Sequence, residues 1–537
     1  MMDHPLRIRF FIVAICLAAI TVWGARKPET FDLPDAPQMT WQERLTRTPV
    51  HLDDDVMIVL RAGYMIEQLG YPGYNRSDKA QPSTSYIAPY VYFLLWKTLP
   101  GYWSVWGYVA LSLMSAAGAL AVIACASRQT WSGCLLAALL AMTQTHFNFV
   151  LSAWDHVFQA FFMTCATAMA LQKKSDGKSA VMACLLAALG LLYRPDGLPV
   201  FLSIIGIVFL RAKRGKQIIA GVFMSLALLA VVLFFNYMQF GHITPTTARL
   251  KIGASPSLAY SLEYAASNGW MAYTTLSLCL LLGFAFALSW KRTEGAERML
   301  LGGCVVTVMV ALINSDVFIA GRMFWMPACV MALILGRIVD WRISGKWMKW
   351  MMVALCVACL LHAWSSAKKN ESDIYSFVMP QHDLIHWIKG NLRHSDGVIG
   401  LYWLGMAYYI PDFDVSDFLG KADEMIASQS VKWGPPGHNK WDADATIAKW
   451  HPQFIIPALP VSWEKDDARI RQEAMKGMAL RQGWGFMHDL VLSRQLMNEY
   501  AHCRIKSGGN GRESWDFYIR NDIHARHRAE LDCKPRS

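Results

Sequence analysis

Long apolar runs recur through the first two thirds of this chain, and they limit its possible folds more than any other feature. A run of roughly 20 apolar residues is long enough to cross a bilayer as a helix. The 537 residues are 54% hydrophobic with a mean hydropathy of +0.25, which is too apolar for an ordinary soluble enzyme. The sequence therefore predicts a polytopic α-helical membrane protein with about eleven spans. The runs lie near residues 8–24, 104–126, 131–150, 157–171, 179–193, 198–210, 217–237, 270–290, 299–313, 323–339 and 347–364.

Basic side chains are distributed between these runs in a regular way. Arg7 and Arg9 flank the start of the first run, which predicts a cytoplasmic N-terminus and a membrane anchor, not a cleaved signal peptide. With spans alternating from there, the short basic loops all fall on the cytoplasmic side of an inner membrane. The positive-inside rule thus explains much of the net charge of +11, which argues against nucleic-acid binding. These loops contain Arg128, Lys173, Lys174, Lys178, Arg211, Lys213, Arg214, Lys216, Lys291, Arg292, Arg298, Arg342 and Lys346.

Carboxylates and a few cations gather on the opposite, outer side of the predicted membrane. The same alternation places there the aspartate triplet at 53–55, Asp155, the Arg194-Pro195-Asp196 turn and Asp316. Charged groups beside a bilayer are costly unless they are solvated or paired, so such a cluster is a candidate functional site.

Beyond residue 364 the chain becomes polar and mixed in character. We expect a soluble extracytoplasmic, or periplasmic, domain at 365–537, separate from a transmembrane domain at 1–364. A helical pattern at 382–392 and strand-like runs at 397–403 and 453–459 predict an α/β fold for it.

The first outer loop, at 25–103, contains an apolar segment that is too short to span a bilayer. This segment covers residues 86–99 and predicts a juxtamembrane helix along the outer interface. Two roles are consistent with this helix, namely lining a groove for a lipid tail and packing against the second span.

Cysteine usage agrees with this organisation. Of 12 cysteines, ten lie in or next to apolar runs, where they are expected to be small buried hydrophobic residues. The other two, Cys503 and Cys533, form a disulfide candidate in the outer domain. No cysteine and histidine spacing indicates zinc, and the glycine-rich stretch at 508–511 is better explained as a loop than as a nucleotide site.

Short motifs on the outer side follow one another in a defined order. Asp54 and Asp55 are followed by Ile58 and Arg61, and Asn75 comes fourteen residues after that arginine. Further motifs are Ser152-Ala153-Trp154-Asp155, then Arg194-Pro195-Asp196-Gly197, then Gly241 with Pro245, Thr247 and Lys251, then Asp316 with Arg322 and Pro327, and finally 416–420 and Gly437-His438.

This ordered set resembles a bacterial family of GT-C glycosyltransferases, the family that contains the mycobacterial terminal arabinofuranosyltransferase. Two positions keep a carboxylate but change its length, since the family usually has glutamate where Asp155 and Asp196 stand. One motif departs further, because Gln81-Pro82-Ser83-Thr84-Ser85 replaces a Glu-Gly-Tyr-Thr-Ser element. The resemblance implies transfer of a sugar from a polyprenyl-phosphate donor, with inversion, on the outer side of the membrane.

The chemistry of such a transfer assigns roles to these residue types. A carboxylate accepts the proton of the acceptor hydroxyl, and Asp54 is our first choice for this base, with Asp55 next. Arginine and lysine stabilise the departing phosphate. The predicted substrate-binding residues are Arg61, Asn75, Asp155, Arg194, Lys251, Asp316 and Arg322.

Simpler explanations stay open for several of these residues. The aspartate triplet also suits the first turn of a helix beginning near Val56, and Asp155 suits a solvated cap before the fourth span. Arg194 suits a side chain that extends to the membrane interface, and Lys251 suits a solvated loop. Clustered aspartates also suit a divalent cation, Mg or Mn, but base chemistry does not need one, so no cofactor is certain.

The sequence therefore predicts a membrane glycosyltransferase that moves a sugar, such as arabinofuranose, from a polyprenyl-phosphate donor to an envelope glycan or surface protein. The alternative enzyme is another GT-C transferase, which moves a hexose or aminoarabinose to lipid A or O-antigen. Two non-enzymatic alternatives are a transporter and an envelope scaffold. A transporter would place charges at mid-membrane within inverted repeats, whereas these charges lie at the outer ends of the spans.

Overall fold

The computed structural model describes most of the chain from Asp54 onward. The described residues are 54–99, 103–127, 130–141, 153–172, 177–211, 215–251, 283, 287, 290–313, 322–338, 379–392, 397–432, 437–457, 485–505, 516–529 and 531–534. The predicted spans at 8–24 and 347–364, nearly all of that at 270–290, and the residues Asp53 and Asp316 lie outside them.

Helices dominate the first part of the described chain. They are α1 Asp54–Leu69, α2 Ala88–Thr98, α3 Trp103–Ala126, α4 Thr130–Ala141, α5 Asp155–Ala170, α6 Gly177–Tyr193, α7 Leu198–Arg211, α8 Gly215–Phe240, α9 Thr246–Lys251, α10 Gly295–Ile313 and α11 Arg322–Ile338. Short 3-10 turns at Pro195–Gly197 and Trp290–Arg292 join some of them.

Three of these helices are long and apolar enough to cross a membrane, judged by length and composition. They are α3, α8 and the part of α10 at Gly295–Leu312. Outward-facing apolar side chains on α8, such as Phe223 at 70% exposure and Met238 at 65%, suit contact with lipid tails. A helix also occupies each predicted run at 157–171, 179–193, 198–210 and 323–339, so the helical character of these segments is confirmed.

Helix α11 lies at the centre of the helical region. Its side chains from Arg322 to Leu335 are all buried, and they join the largest hydrophobic core with residues of α5, α6 and α7. A helix that is apolar on all sides is buried by its neighbours, which fixes its position. The first residue of α11 is therefore held rigidly at one end of the helix packing.

A mixed six-stranded sheet forms the C-terminal region. The strand order is β2-β1-β3-β5-β4-β6, with β1 parallel to β2 and β3 and the remaining pairs antiparallel. Two strands fall within the predicted runs at 397–403 and 453–459, which confirms them. The strands are β1 Val398–Leu401, β2 Asp414–Asp417, β3 Phe454–Ile456, β4 Tyr500–Ile505, β5 Phe517–Arg520 and β6 Leu531–Lys534.

Short helices surround this sheet. They are α12 Met379–Asn391, α13 Glu424–Ala427, α14 Ala443–Trp450, α15 Gly485–Leu492, α16 Arg494–Glu499 and α17 Asn521–His524, with a 3-10 segment at Leu404–Tyr409. The predicted helix at 382–392 corresponds to α12. Cys503 of β4 and Cys533 of β6 are register partners and are joined by a disulfide.

The segment predicted to be the first outer loop packs directly onto the C-terminal region. Ile58 and Tyr74 belong to the same hydrophobic cluster as Leu401 and Phe454 of the sheet. The side-chain amide of Asn75 donates to the Val415 carbonyl at 2.8 Å and accepts from the Val415 N–H at 2.9 Å. Because β2 is an edge strand, this amide satisfies backbone groups that would otherwise lack a partner.

Candidate active site

A polar pocket lies where the helical region meets the C-terminal region. Helices α1, α5 and α11 all begin at this pocket, and α6 ends beside it at Tyr193. Its charged lining comes from six separate stretches of the chain. These charged residues are Asp54, Asp55, Asp155, Arg194, Lys251, Arg322 and Lys421.

The two carboxylates at the start of α1 share a cation from the C-terminal region. Lys421 Nζ lies 2.9 Å from Asp54 Oδ2 and 3.1 Å from Asp55 Oδ1. The other Asp54 oxygen accepts a hydrogen bond from the Gly405 N–H at 2.6 Å. The other Asp55 oxygen accepts from Arg322 at 2.9 Å. These bonds tie α1, α11 and the C-terminal region together across the pocket.

The two carboxylates differ in their pKa values because they have different partners. Burial raises the pKa of Asp54 above its usual range, although Lys421 opposes this. Burial acts on Asp55 in the same direction, but the charges of Lys421, Arg322 and Lys251 together outweigh it and hold the pKa of Asp55 well below its usual range. The pKa of Lys421 is raised, because its two carboxylate partners outweigh burial. Lys421 and Asp55 are therefore charged at neutral pH.

Arg322 is held by an aromatic ring as well as by a carboxylate. Its guanidinium carbon lies 4.8 Å from the centroid of the Trp154 ring, a cation–π distance, and its side chain is 3% exposed. A guanidinium is a planar fork of N–H donors, and Arg322 lines the pocket. Such a group suits a phosphate.

The segment before α5 adopts an unusual backbone conformation. Ala153 has φ 56°, in the left-handed region that favours glycine, and its side chain is fully buried. Strain of this kind persists where the surrounding structure requires it and is found at functional sites. The result is that Trp154 and Asp155 both line the pocket.

Arg194 is placed by the turn that follows α6. Its Nε lies 3.2 Å from Asp196 Oδ2, and Gln159 of α5 donates to the other Asp196 oxygen at 2.9 Å. Arg194 is only 5% exposed. Arg194 and Asp196 are therefore paired, and this pairing orients the guanidinium at the pocket wall.

Lys251 reaches the pocket from the end of α9. The segment containing α9 is held by the C-terminal region, since Thr246 donates to Glu424 at 2.5 Å and Arg249 forms an ion pair with the same carboxylate. The Lys251 side chain passes over Gly437, where an added Cβ would lie 3.3 Å from Lys251 Cε. Gly437 also has φ 84°, so this position favours glycine for two reasons.

Aromatic and imidazole groups complete the C-terminal side of the pocket. Trp403 and His438 both line it, and the Tyr402 hydroxyl lies 3.2 Å from His438 Nδ1. Burial and the Lys421 charge lower the pKa of His438 to about 3. This imidazole is therefore neutral at physiological pH, and it adds polarity without charge.

The structure brings six of the predicted site residues together. Asp54, Asp55, Asp155, Arg194, Lys251 and Arg322 all line the pocket, and Asp316 lies outside the described residues.

Arg61 and Asn75 are placed elsewhere. Both are buried at the interface between the first loop and the C-terminal region, and neither lines the pocket. Arg61 donates to the carbonyls of Tyr74, Ala407, Ile410 and Phe413. These two residues therefore hold that interface, and their contact with substrate stays a prediction.

Lys421 is the pocket residue that sequence reasoning missed. It directly follows the 416–420 motif, which was the available signal, but it is one of 51 lysines and arginines. Nothing in the local sequence distinguishes it from a solvated lysine.

Among the described residues, the pocket carboxylates do not form a group that could share a metal ion. Within the described residues, the group of three metal-ligating side chains close enough to share an ion is Cys503, His524 and Cys533. Two of these form the disulfide, which leaves them without thiolates to bind a metal. Asp54 and Asp55 have protein cations as partners.

Comparisons with known proteins give similarities to solved structures. No family model matches the sequence, and no curated protein matches it. The crystal structure of ArnT from Cupriavidus metallidurans bound to undecaprenyl phosphate is similar over 79% of this chain and 87% of that chain, with a TM-score of 0.47 and 11% sequence identity.

Proposed function

We propose that this protein is an outer-face membrane glycosyltransferase that uses a polyprenyl-phosphate sugar. The observation that carries the proposal is the pocket itself, in which four cations and three carboxylates meet at one end of apolar helices. Cations are required to bind the phosphate of the donor, and a carboxylate is required to take the acceptor proton. The pocket therefore has the charges, and the position beside a membrane, that this reaction requires.

The charge of the pocket favours an anionic ligand. Its described lining has one more cation than carboxylates, and the neutral imidazole of His438 does not change this balance. Three helices also begin there, so their partial positive charges point toward the pocket. A lipid-linked phosphate diester carries one negative charge and gains a second when the sugar leaves, so the pocket stabilises the product phosphate more than the donor.

The reaction is a direct displacement. The acceptor oxygen forms a bond to the anomeric carbon while the bond from that carbon to the phosphate oxygen breaks, and the electron pair stays on the phosphate. The acceptor proton passes to a pocket carboxylate, and the anomeric centre is inverted. Arg322, Lys251 and Arg194 surround the departing polyprenyl phosphate, and an arginine guanidinium can make a bidentate contact to it.

The identity of the sugar is proposed from the sequence motifs. Their resemblance to the terminal arabinofuranosyltransferase family supports a pentofuranose such as arabinofuranose as the donor sugar. The acceptor is proposed to be an envelope glycan or a surface protein.

Transfer from synthetic donors in purified membranes tests the proposal. We expect transfer from a polyprenyl-phosphate arabinofuranose, and a loss of at least about 100-fold in Arg322→Ala. The matched control is Arg526→Ala, an exposed arginine remote from the pocket, which should keep its activity. Transfer only from hexose or aminoarabinose donors would replace the pentofuranose assignment. No transfer from any donor, by protein that is folded and membrane-inserted, would reject the enzyme and leave the transporter or scaffold.

A further inference from the structure

Asp155 differs from the other two carboxylates of the pocket in what its oxygens contact. Both oxygens of Asp54 are engaged, one by Lys421 and one by the Gly405 N–H. Both oxygens of Asp55 are engaged as well, by Lys421 and Arg322. Each of these bonds opposes protonation of the carboxylate that accepts it, because a proton would displace the donor. At Asp54 they act against burial, which raises its pKa.

No such bond engages the Asp155 carboxylate within the described part of the chain. Asp155 is the first residue of α5, half-buried, and it lines the pocket. Its nearest cations have carboxylate partners of their own, since Arg194 is paired with Asp196 and Arg322 with Asp55. Asp155 therefore faces the pocket with lone pairs available for a hydroxyl group.

We infer that Asp155 accepts the proton of the acceptor hydroxyl, and that Asp54 and Asp55 position Lys421 and Arg322. This inference rests on the glycosyl transfer proposed above, and it moves the base from the first loop to the start of α5. In the step, the acceptor O–H bond breaks and its proton bonds to an Asp155 oxygen. The hydroxyl oxygen bonds to the anomeric carbon, and the electron pair of the broken carbon–oxygen bond leaves with the polyprenyl phosphate.

The titration of Asp155 agrees with this role. Asp155 precedes the apolar segment at 157–171, and burial raises its pKa to about 7, with Arg194 opposing the rise. A base whose pKa lies near the working pH is the most effective proton acceptor. The titratable and charged groups that face Asp155 from α1, α3, α6, the turn after α6 and α11 are Asp55, Tyr108, Tyr193, Arg194, Asp196 and Arg322.

The sign of the pH dependence follows from the base being active when ionised. We expect kcat/KM to be constant above about pH 7 and to fall by about tenfold per pH unit below it. The fall reflects protonation of Asp155 in the free enzyme. Initial transfer rates across the range from about pH 5 to about pH 9 measure this profile.

Four variants separate a base from a positioning residue. Asp155→Asn should lose about 10²- to 10⁴-fold in turnover and should lose the acidic limb. Asp155→Glu should restore part of the rate together with a limb, shifted in pH. Asp54→Asn should be slower but should keep the limb near pH 7. Asp412→Asn, an exposed aspartate away from the pocket, is the matched control and should behave as wild type.

Binding of polyprenyl phosphate, measured by tryptophan fluorescence, distinguishes this inference from the function on which it rests. Asp155→Asn should bind it within about threefold of wild type, because the cations are intact. If Asp155→Asn keeps the acidic limb and Asp54→Asn loses it, the base is Asp54 and the inference is wrong. If folded wild type transfers no sugar from any donor, the proposed function fails and this assignment fails with it.

Discussion

Two regions of this molecule are each built around a buried arginine. Arg61 lies in the interface between the first loop and the C-terminal region, with no exposed surface, and its donors all point to backbone carbonyls. Arg322 lies at the pocket, 3% exposed, with a carboxylate and an aromatic ring as partners.

The two arginines differ in the kind of partner that they have. The Arg61 guanidinium donates to backbone carbonyls and so holds two regions together. Arg322 has the carboxylate of Asp55 as a partner, and Asp55 also accepts from Lys421. Both arginines are buried and both belong to motifs, so the kind of partner distinguishes them and supports the binding role proposed for Arg322.

The largest expected effect is the separation of activity from stability at these two arginines. Arg61→Ala should lower the free energy of unfolding by about 2–4 kcal/mol, because buried carbonyls lose their donors. Arg322→Ala should lower transfer by at least about 100-fold and weaken binding of polyprenyl phosphate, with a smaller change in thermal stability. Thermal melts and transfer rates on the same preparations check this.

The opposite result would contradict this distinction between the two arginines. If Arg61→Ala keeps its melting temperature and loses donor binding, the interface arginine contacts substrate as the sequence suggested. Lysine at each position refines the result, because Arg322→Lys keeps the charge and loses the bidentate fork.

A smaller effect is expected at Gly405, where the C-terminal region touches α1. An added Cβ would lie 2.5 Å from the Asp54 carbonyl oxygen and 2.9 Å from its Cα, both backbone atoms that cannot rotate away. Gly405→Ala should therefore push α1 from the C-terminal region, costing about 1–3 kcal/mol of stability. The same shift should slow transfer by about tenfold through displacement of Asp54 and Lys421.

Gly390 provides the matched control for this substitution. It lies on the exposed side of α12, and an added Cβ would meet no atom within 4 Å. Gly390→Ala should leave transfer unchanged and raise stability slightly, since alanine is the better helix former. If Gly405→Ala and Gly390→Ala had the same stability and transfer rate, Gly405 would not pack tightly against the Asp54 backbone.

The smallest effect is expected at Glu424, which holds the segment carrying Lys251. Its carboxylate is partly exposed, so the ion pair with Arg249 contributes at most about 1 kcal/mol. Glu424→Gln should leave stability nearly unchanged and raise the KM for the donor by about two- to fivefold, because Lys251 becomes less well placed. A change in kcat with an unchanged KM would show that this segment acts on the chemical step.

Much of the fold could be predicted from local sequence. The helices α3, α8 and α10 and the strands β1 and β3 coincide with runs whose hydrophobic pattern and length already indicate their type. Six of the site residues were also found, because their motifs occur in order at the ends of predicted spans. The sequence did not reveal that Arg61 holds an interface or that Lys421 lines the pocket. A motif does not show whether a cation contacts a carbonyl or a carboxylate.

The sequence by itself determined that apolar helices are followed by a region with strands, because hydrophobicity and periodicity are properties of neighbouring residues. Only the tertiary structure decided which charges meet, because that depends on residues far apart in the chain. Asp54 and Lys421 are separated by 367 positions and yet form one ion pair. Electrostatic partners are chosen by distance in space, and so the difference between holding the fold and binding a ligand appears only after the chain has folded.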